Sequence, residues 1–227
     1  MSKQTPQRGI AVNEMPAKRR GRPTLREQQD RTDTREFLVQ AASDLMIEKG
    51  GVRISLSEIA GRTRLSPAVV RYHFGDKDGL LLALLEREAK TMDGLRALAD
   101  EELPAAIKLR LHIGGLVDRI FRAPYLNQLL RMMQQEGGEK ASRVTELFIK
   151  PISEFQRTLL EQGQREGTFR AVSPIEFYFT INGACALFFN DRETLRDVFG
   201  VSAITEELKT NFARSLTSIV LKGVEKR

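Results

Sequence analysis

The chain has 227 residues, 41% of them hydrophobic, and 36 Lys+Arg against 30 Asp+Glu give a formal net charge of +6. That is apolar material for one compact domain or two small ones, and so modest an excess of positive charge matters more by its placement than by its size. The one cysteine, Cys185, excludes an intrachain disulfide and fits a reducing cytoplasm.

Residues 1–20 lack an apolar core of signal-peptide length. The most apolar stretch, 175–189, is interrupted by Glu176, Thr180 and Asn182 and falls short of the about 20 apolar residues that span a bilayer. A cytoplasmic protein with no membrane partner is expected. The charge is uneven: residues 1–34 carry eight basic and four acidic side chains, whereas 81–227 carry 21 and 20. A basic front on a near-neutral body reads as a nucleic-acid arm ahead of a globular part.

Residues 1–32 are read as that arm, disordered without a partner because they lack apolar periodicity. Within it, Arg20 and Arg22 flank Gly21 ahead of Pro23, which resembles the core of an AT-hook. Arginines so placed suit the narrow minor groove of A·T-rich DNA.

From there on apolar residues recur at helical spacing and no stretch alternates as a strand does, so the fold class is all-α. A first helix is expected from Asp33, with Glu36 completing a capping pair and Phe37, Leu38, Ala41, Ala42, Leu45 and Met46 on its buried face. Gly50 and Gly51 stop it. Ser55-Leu56-Ser57-Glu58 is a capping box opening a second, short helix that ends around 62–64. Ser66-Pro67 opens a third, with a capping hydroxyl and a proline where no amide donor is needed; Phe74-Gly75 closes it. Two short helices joined by a tight turn form a helix-turn-helix.

Asp76 caps a fourth helix whose buried side is expected at Leu80, Leu81, Leu84, Leu85, Leu95 and Leu98. Further helices are expected from Pro104, from Pro124, near Glu139, from Ser173-Pro174 and after Ser202. A break is expected at Pro151, and stops at Gly167 and Gly200. The predicted organisation is a basic arm (1–32), a helix-turn-helix head (33–80) and a larger helical body (81–227).

The run Ser55-Leu56-Ser57-Glu58-Ile59-Ala60, then Leu65-Ser66, Tyr72-His73-Phe74 and Lys77, after a helix stop at Gly50, resembles the tetracycline-repressor (TetR) family over about residues 33–85. The resemblance implies a DNA-binding transcriptional regulator, a repressor released from its operator by a small molecule, acting as a homodimer on palindromic double-stranded DNA. An activator of the same family and a broadly binding architectural DNA protein are the alternatives. Two departures stand out. Arg64 occupies the turn position that family members fill with glycine, where a left-handed backbone costs a side chain about 1 kcal/mol and another turn geometry becomes an option. Arg71 replaces the first aromatic of the family's Tyr-Tyr-His-like run.

By this resemblance Val70 points inward with Leu65 and Phe74, while Pro67, Ala68, Val69, Arg71, Tyr72 and His73 lie on or beside the DNA face. Arg71 suits bidentate bonding to guanine, and Ala68 and Val69 suit thymine methyls. Tyr72, His73, Lys77, Ser55, Ser57 and Ser66 suit the phosphate backbone, which sets register. The dimer interface is expected on the last two long helices, around the small residues 182–186, with Phe177, Phe179, Phe188 and Phe189, and along Leu208, Phe212, Leu216 and Ile219. An effector is expected among Phe121, Tyr125, Met132, Met133, Phe148, Phe155 and Tyr178, with Arg131 and Asn182 as polar members. Methionines adapt to varied ligand shapes. No cofactor, metal site or enzymatic activity is expected. The two histidines, His73 and His112, and Cys185 are far apart in sequence, and no glycine-rich phosphate loop is present.

Overall fold

A computed structural model describes residues 25–226, with side chains described from residue 32. The arm residues Arg20 and Arg22 lie outside the described residues. The described chain is all-α: among these residues the only β pairing is a single bridge between Phe169 and Glu225. No described helix is long and apolar enough to cross a membrane.

The first helix, α1 (Leu25–Lys49), starts eight residues before the expected Asp33, which therefore lies inside it and does not cap it. The helix formers Arg, Glu and Gln of this segment sustain a helix that apolar periodicity does not announce. Leu38, Val39, Ala41, Ala42 and Met46 are buried, whereas Phe37, expected inside, is exposed. Gly50 ends α1 with a positive φ of 63°, its amide donating to Ile47 while the Gly51 amide donates to Met46, the paired bonds of a Schellman stop.

Helices α2 (Leu56–Thr63), α3 (Pro67–Phe74) and α4 (Lys77–Ala89) follow with the expected caps. The fourth helix is shorter than expected. A 3-10 turn at Lys90–Met92 redirects the chain, so Leu95 and Leu98 belong to a separate helix, α5 (Asp93–Asp100). The body continues with α6 (Ala105–Arg122), α7 (Leu126–Glu136) and α8 (Gly138–Val144). A π-helical turn at Thr145–Ile149 then leads into α9 (Lys150–Arg165). Pro151 sits in the first turn of α9, so the expected irregularity falls just before it.

Gly167 and Gly200 are stops with φ of 73° and 69°. Helix α10 (Pro174–Asn190) is capped by Ser173, whose hydroxyl accepts from the Glu176 amide. A short α11 (Arg192–Asp197), capped by Asp191, escaped the apolar pattern. The last helix, α12 (Glu206–Val224), begins at the Thr205 cap, past the expected Ser202.

Two cores hold the chain together. One joins the buried faces of α1 to α4 and continues without a break into Tyr125, Leu126, Leu129, Met133, Val144 and Phe148. The other joins α6, α9, α10 and α12 through Leu109, Ile113, Leu159, Ile181, Cys185 and Leu221. The apolar packing thus runs across the expected head–body junction at 80/81.

Candidate DNA interface and effector cavity

The recognition element is built by three local devices. The Ser55 hydroxyl accepts from the Glu58 amide at 3.2 Å, and the Ser55 amide donates back to Glu58 Oε2 at 2.8 Å, so the expected capping box is formed. Lys49 also bonds Glu58, and these contacts hold its carboxyl at about 2, below the usual carboxylate value. Arg64 then turns the chain at φ 58° and ψ 22°. The left-handed turn is kept although its residue is not glycine. Ser66 caps α3 from the extended region, with Pro67 behind it.

Helix α3 buries one residue completely, Val70, with Leu65 and Phe74 packed partly beside it. Its opposite side is open: Pro67, Ala68, Arg71 and Tyr72 are exposed, and Val69 and His73 flank them half-buried. Positions 67 and 71, and 68 and 72, are four apart and stack along one face. Among the described residues, Arg71 and Lys77 form no ion pair, in contrast to Arg62, which bridges Asp44 and Glu48, and to Lys49. Ser55, Ser57 and Ser66 are also exposed. The helix-turn-helix therefore presents a convex rod with unneutralised cations, a shape that enters a major groove.

The end of this rod is fixed to the body. Asp76 caps α4 by accepting from the Gly79 amide at 2.9 Å. A Cβ at Gly79 would overlap the carbonyl oxygen of Phe74, so α4 rests directly on the last turn of α3. No residue pattern in the sequence announced this requirement.

A cavity of about 760 Å³ lies between head and body. Gln40, Ser43 and Ile47 of α1 form one wall; Arg87, Glu88, Leu95 and Leu98 form another; and α6 contributes Leu111, His112, Leu116 and Arg119. Of the nine residues expected around an effector, Tyr125 lines this cavity, and Phe155 lines a separate one of about 390 Å³. Met133 and Phe148 are buried in the first core, with Met132 packed partly against it. Arg131 is exposed, and Asn182 is half-buried with its amide donating to the Tyr178 carbonyl of its own helix. Tyr178 is half-buried. Phe155 packs on the His112 ring, 4.9 Å between centroids, and Phe121 lies under Lys209 beside a separate cleft of about 170 Å³. The structure does not bring these nine together.

The residues that do converge are polar. Glu88 Oε1 accepts from Arg87 Nη2 at 2.8 Å and from the Tyr125 hydroxyl at 2.9 Å. Burial pushes Tyr125 up to about 12, so the hydroxyl keeps its proton and donates it. Ser43 Oγ lies 3.0 Å from the Tyr125 oxygen, and Arg87 Nη1 donates to Gln40 Oε1 at 2.9 Å. This network ties α1 and α4 to the start of α7. His112 and Arg119 stand outside this network; seven apart, they run beside the buried stripe Leu109, Ile113, Leu116 and Ile120 of α6, a pattern that marks the helix face but not the cavity.

Fold and site together define a helix-turn-helix DNA-binding regulator with a helical regulatory body. Residues 38–84 match the family model for bacterial regulatory proteins of the tetR family, and residues 102–226 match that for the tetracyclin repressor-like C-terminal domain. The chain belongs to the tetracycline-repressor family and is a DNA-binding transcriptional regulator. It is 22% identical over 209 residues to the transcriptional repressor NicS of Pseudomonas putida, covering 88% of this chain and 95% of that one. It is 36% identical over 89 residues to the repressor Rv3405c of Mycobacterium tuberculosis, covering 39% and 43% of the two chains. Among solved structures, AibR in complex with isovaleryl coenzyme A and operator DNA shares the fold at a TM-score of 0.66 and 17% identity, over 82% of this chain and 96% of that one. A TetR/AcrR-family regulator from Thermobifida fusca does so at 0.63 and 18%, over 84% and 98%.

Proposed function

We propose that the protein is a homodimeric repressor that reads a palindromic operator with α3 and leaves it when a small molecule fills the cavity between α1, α4, α5 and α6. The observation that carries this reading is the composition of the cavity wall. Gln40 and Ser43 stand on the first helix of the head, so an occupant touches the DNA-binding element directly. In this reading Arg71 contacts a base, Ala68 and Val69 pack on thymine methyls, and Tyr72, His73, Lys77, Ser55, Ser57 and Ser66 meet phosphates. Arg20 and Arg22 of the arm reach the minor groove.

Dimerisation is assigned to one ridge of α10. Ile175, Phe179 and Leu187 are 71%, 68% and 66% exposed, and with the exposed Gly183 they recur every fourth residue. Such a ridge packs into the grooves of a second copy, and glycine lets the backbones approach. Ile219 on α12 adds to the apolar surface. Phe177, Cys185, Phe189 and Leu216, expected at the interface from the sequence, are consumed inside the chain, and Phe188 stacks on Phe212 at 3.9 Å.

The test is selection of bound fragments from genomic DNA, followed by titration of the selected site with wild type and Arg71→Ala. The expected result is a two-fold symmetric site preferred over random DNA by at least about 10³-fold, and a relaxed preference at one position per half-site in the variant. Equal affinity for random duplex overturns the reading.

A further inference from the structure

The charge of the cavity wall is unbalanced. Three guanidinium groups, Arg87, Arg119 and Arg122, face one carboxylate, Glu88. Burial, and secondarily the field of Arg119, push His112 down to about 3, so its ring is neutral. Glu88 is already committed: both Arg87 Nε and Nη2 donate to its Oε1, as does Tyr125. Arg122 is exposed and donates to the Asp118 carbonyl of its own helix.

Arg119 is the group left over. It stands on α6 with its guanidinium directed at the Met92 sulfur, a weak acceptor, and among the described residues it forms no ion pair. Desolvation pulls it below the ordinary arginine value. Arg119 is half-buried on the cavity wall, with a thioether as its acceptor and no carboxylate partner among the described residues, and an anion in the cavity supplies both the counter-charge and stronger acceptors. Leu95, Leu98, Leu111, Leu116 and Ile47 supply an aliphatic part of the wall, beside the uncharged polar groups of Gln40, Ser43 and Thr91.

We propose that the effector is an organic acid, its carboxylate bound by Arg119 and its apolar body lying over Leu95, Leu98 and Leu116. This rests on the effector-controlled reading above and narrows it to one chemical class. The volume of the cavity is that of sites holding small organic ligands.

The experiment is calorimetric titration of the full-length protein with matched probes: decanoate, decan-1-ol and decylamine, and 4-phenylbutyrate, 4-phenylbutan-1-ol and 4-phenylbutylamine. Wild type is expected to bind at least one of the acids about tenfold or more tightly than its alcohol, and the amines more weakly still. Arg119→Met keeps the bulk of the side chain without its charge, and acid and alcohol should converge on it. Arg119→Lys should retain the preference for the acid. Circular dichroism and operator affinity without probe confirm that each variant is folded.

No binding by either acid, alcohols that match the acids in wild type, or an undiminished acid preference in Arg119→Met overturns the proposal. Operator release is scored separately. Acids that bind through Arg119 without releasing DNA sink the repressor-release reading and leave the ligand class standing. A neutral compound that binds the cavity and releases DNA does the reverse.

Discussion

Ser43, on the first helix of the DNA-binding head, lies 3.0 Å from the hydroxyl oxygen of Tyr125 in the body. Tyr125 has a single proton and gives it to Glu88, so Ser43 is the donor in this bond. A buried bond between residues 82 apart in sequence joins the two halves of the molecule beside the cavity.

Tyr125→Phe keeps the ring and removes the junction. Ser43 and Glu88 each lose a partner, and the expected loss of stability is about 1–2 kcal/mol in urea unfolding. The coupling between effector and operator should weaken as well. Unchanged stability together with unchanged ligand response would show that the junction is dispensable.

Arg64 holds a left-handed backbone in the helix-turn-helix turn. Arg64→Gly removes that penalty and should stabilise the protein by about 0.5–1 kcal/mol, raising Tm by about 1–4 °C. Calorimetry on both proteins measures it, and a lowered Tm would mean that the arginine side chain makes up for its backbone.

His112 is held at about 3 against an ordinary 6.5, chiefly by burial. Between these values the unfolded chain binds a proton that the folded chain does not. Stability therefore falls as the pH drops below about 6.5 and levels off below about 3, with a slope from this group of up to about 1.4 kcal/mol per pH unit. His112→Gln should lose that contribution. Urea midpoints of both proteins at pH 7 and pH 5 decide it; equal drops in the two would assign acid sensitivity to other groups.

Phe179→Glu places a charge in the middle of the exposed α10 ridge. Sedimentation should show monomer, and operator affinity should fall by at least about tenfold because the two half-sites are no longer engaged together. A dimer of wild-type strength would place the interface elsewhere.

The local devices of the head were legible in the sequence because each is written within a few residues. Ser55 with Glu58, Ser66 with Pro67, and Asp76 specify their helix starts through contacts made inside one turn. The start of α1 was not legible, since a polar run of helix formers carries no apolar rhythm. The cavity was hidden for another reason. Aromatic and methionine residues such as Phe148 and Met133 are the better packers, and they were spent on the core. The space was left to Arg119, His112 and Glu88, whose placement depends on how α1, α4 and α6 meet. The α10 stripe misled in the same way: Phe177 and Phe179 are two apart on a helix, so one faces inward and the other out.

The seat of Gly79 on the Phe74 carbonyl leaves no slack at the joint between the rod and the helix behind it. In the proposed mechanism a tilt of α4 would press on the last turn of α3 through this contact. For protein engineering this sets where the molecule may be cut. A transplant of operator specificity that stops at Gly75 would seat a foreign rod on a native socket, whereas a cassette extending beyond Gly79 carries both surfaces of the joint and should preserve the gearing between sensor and reader.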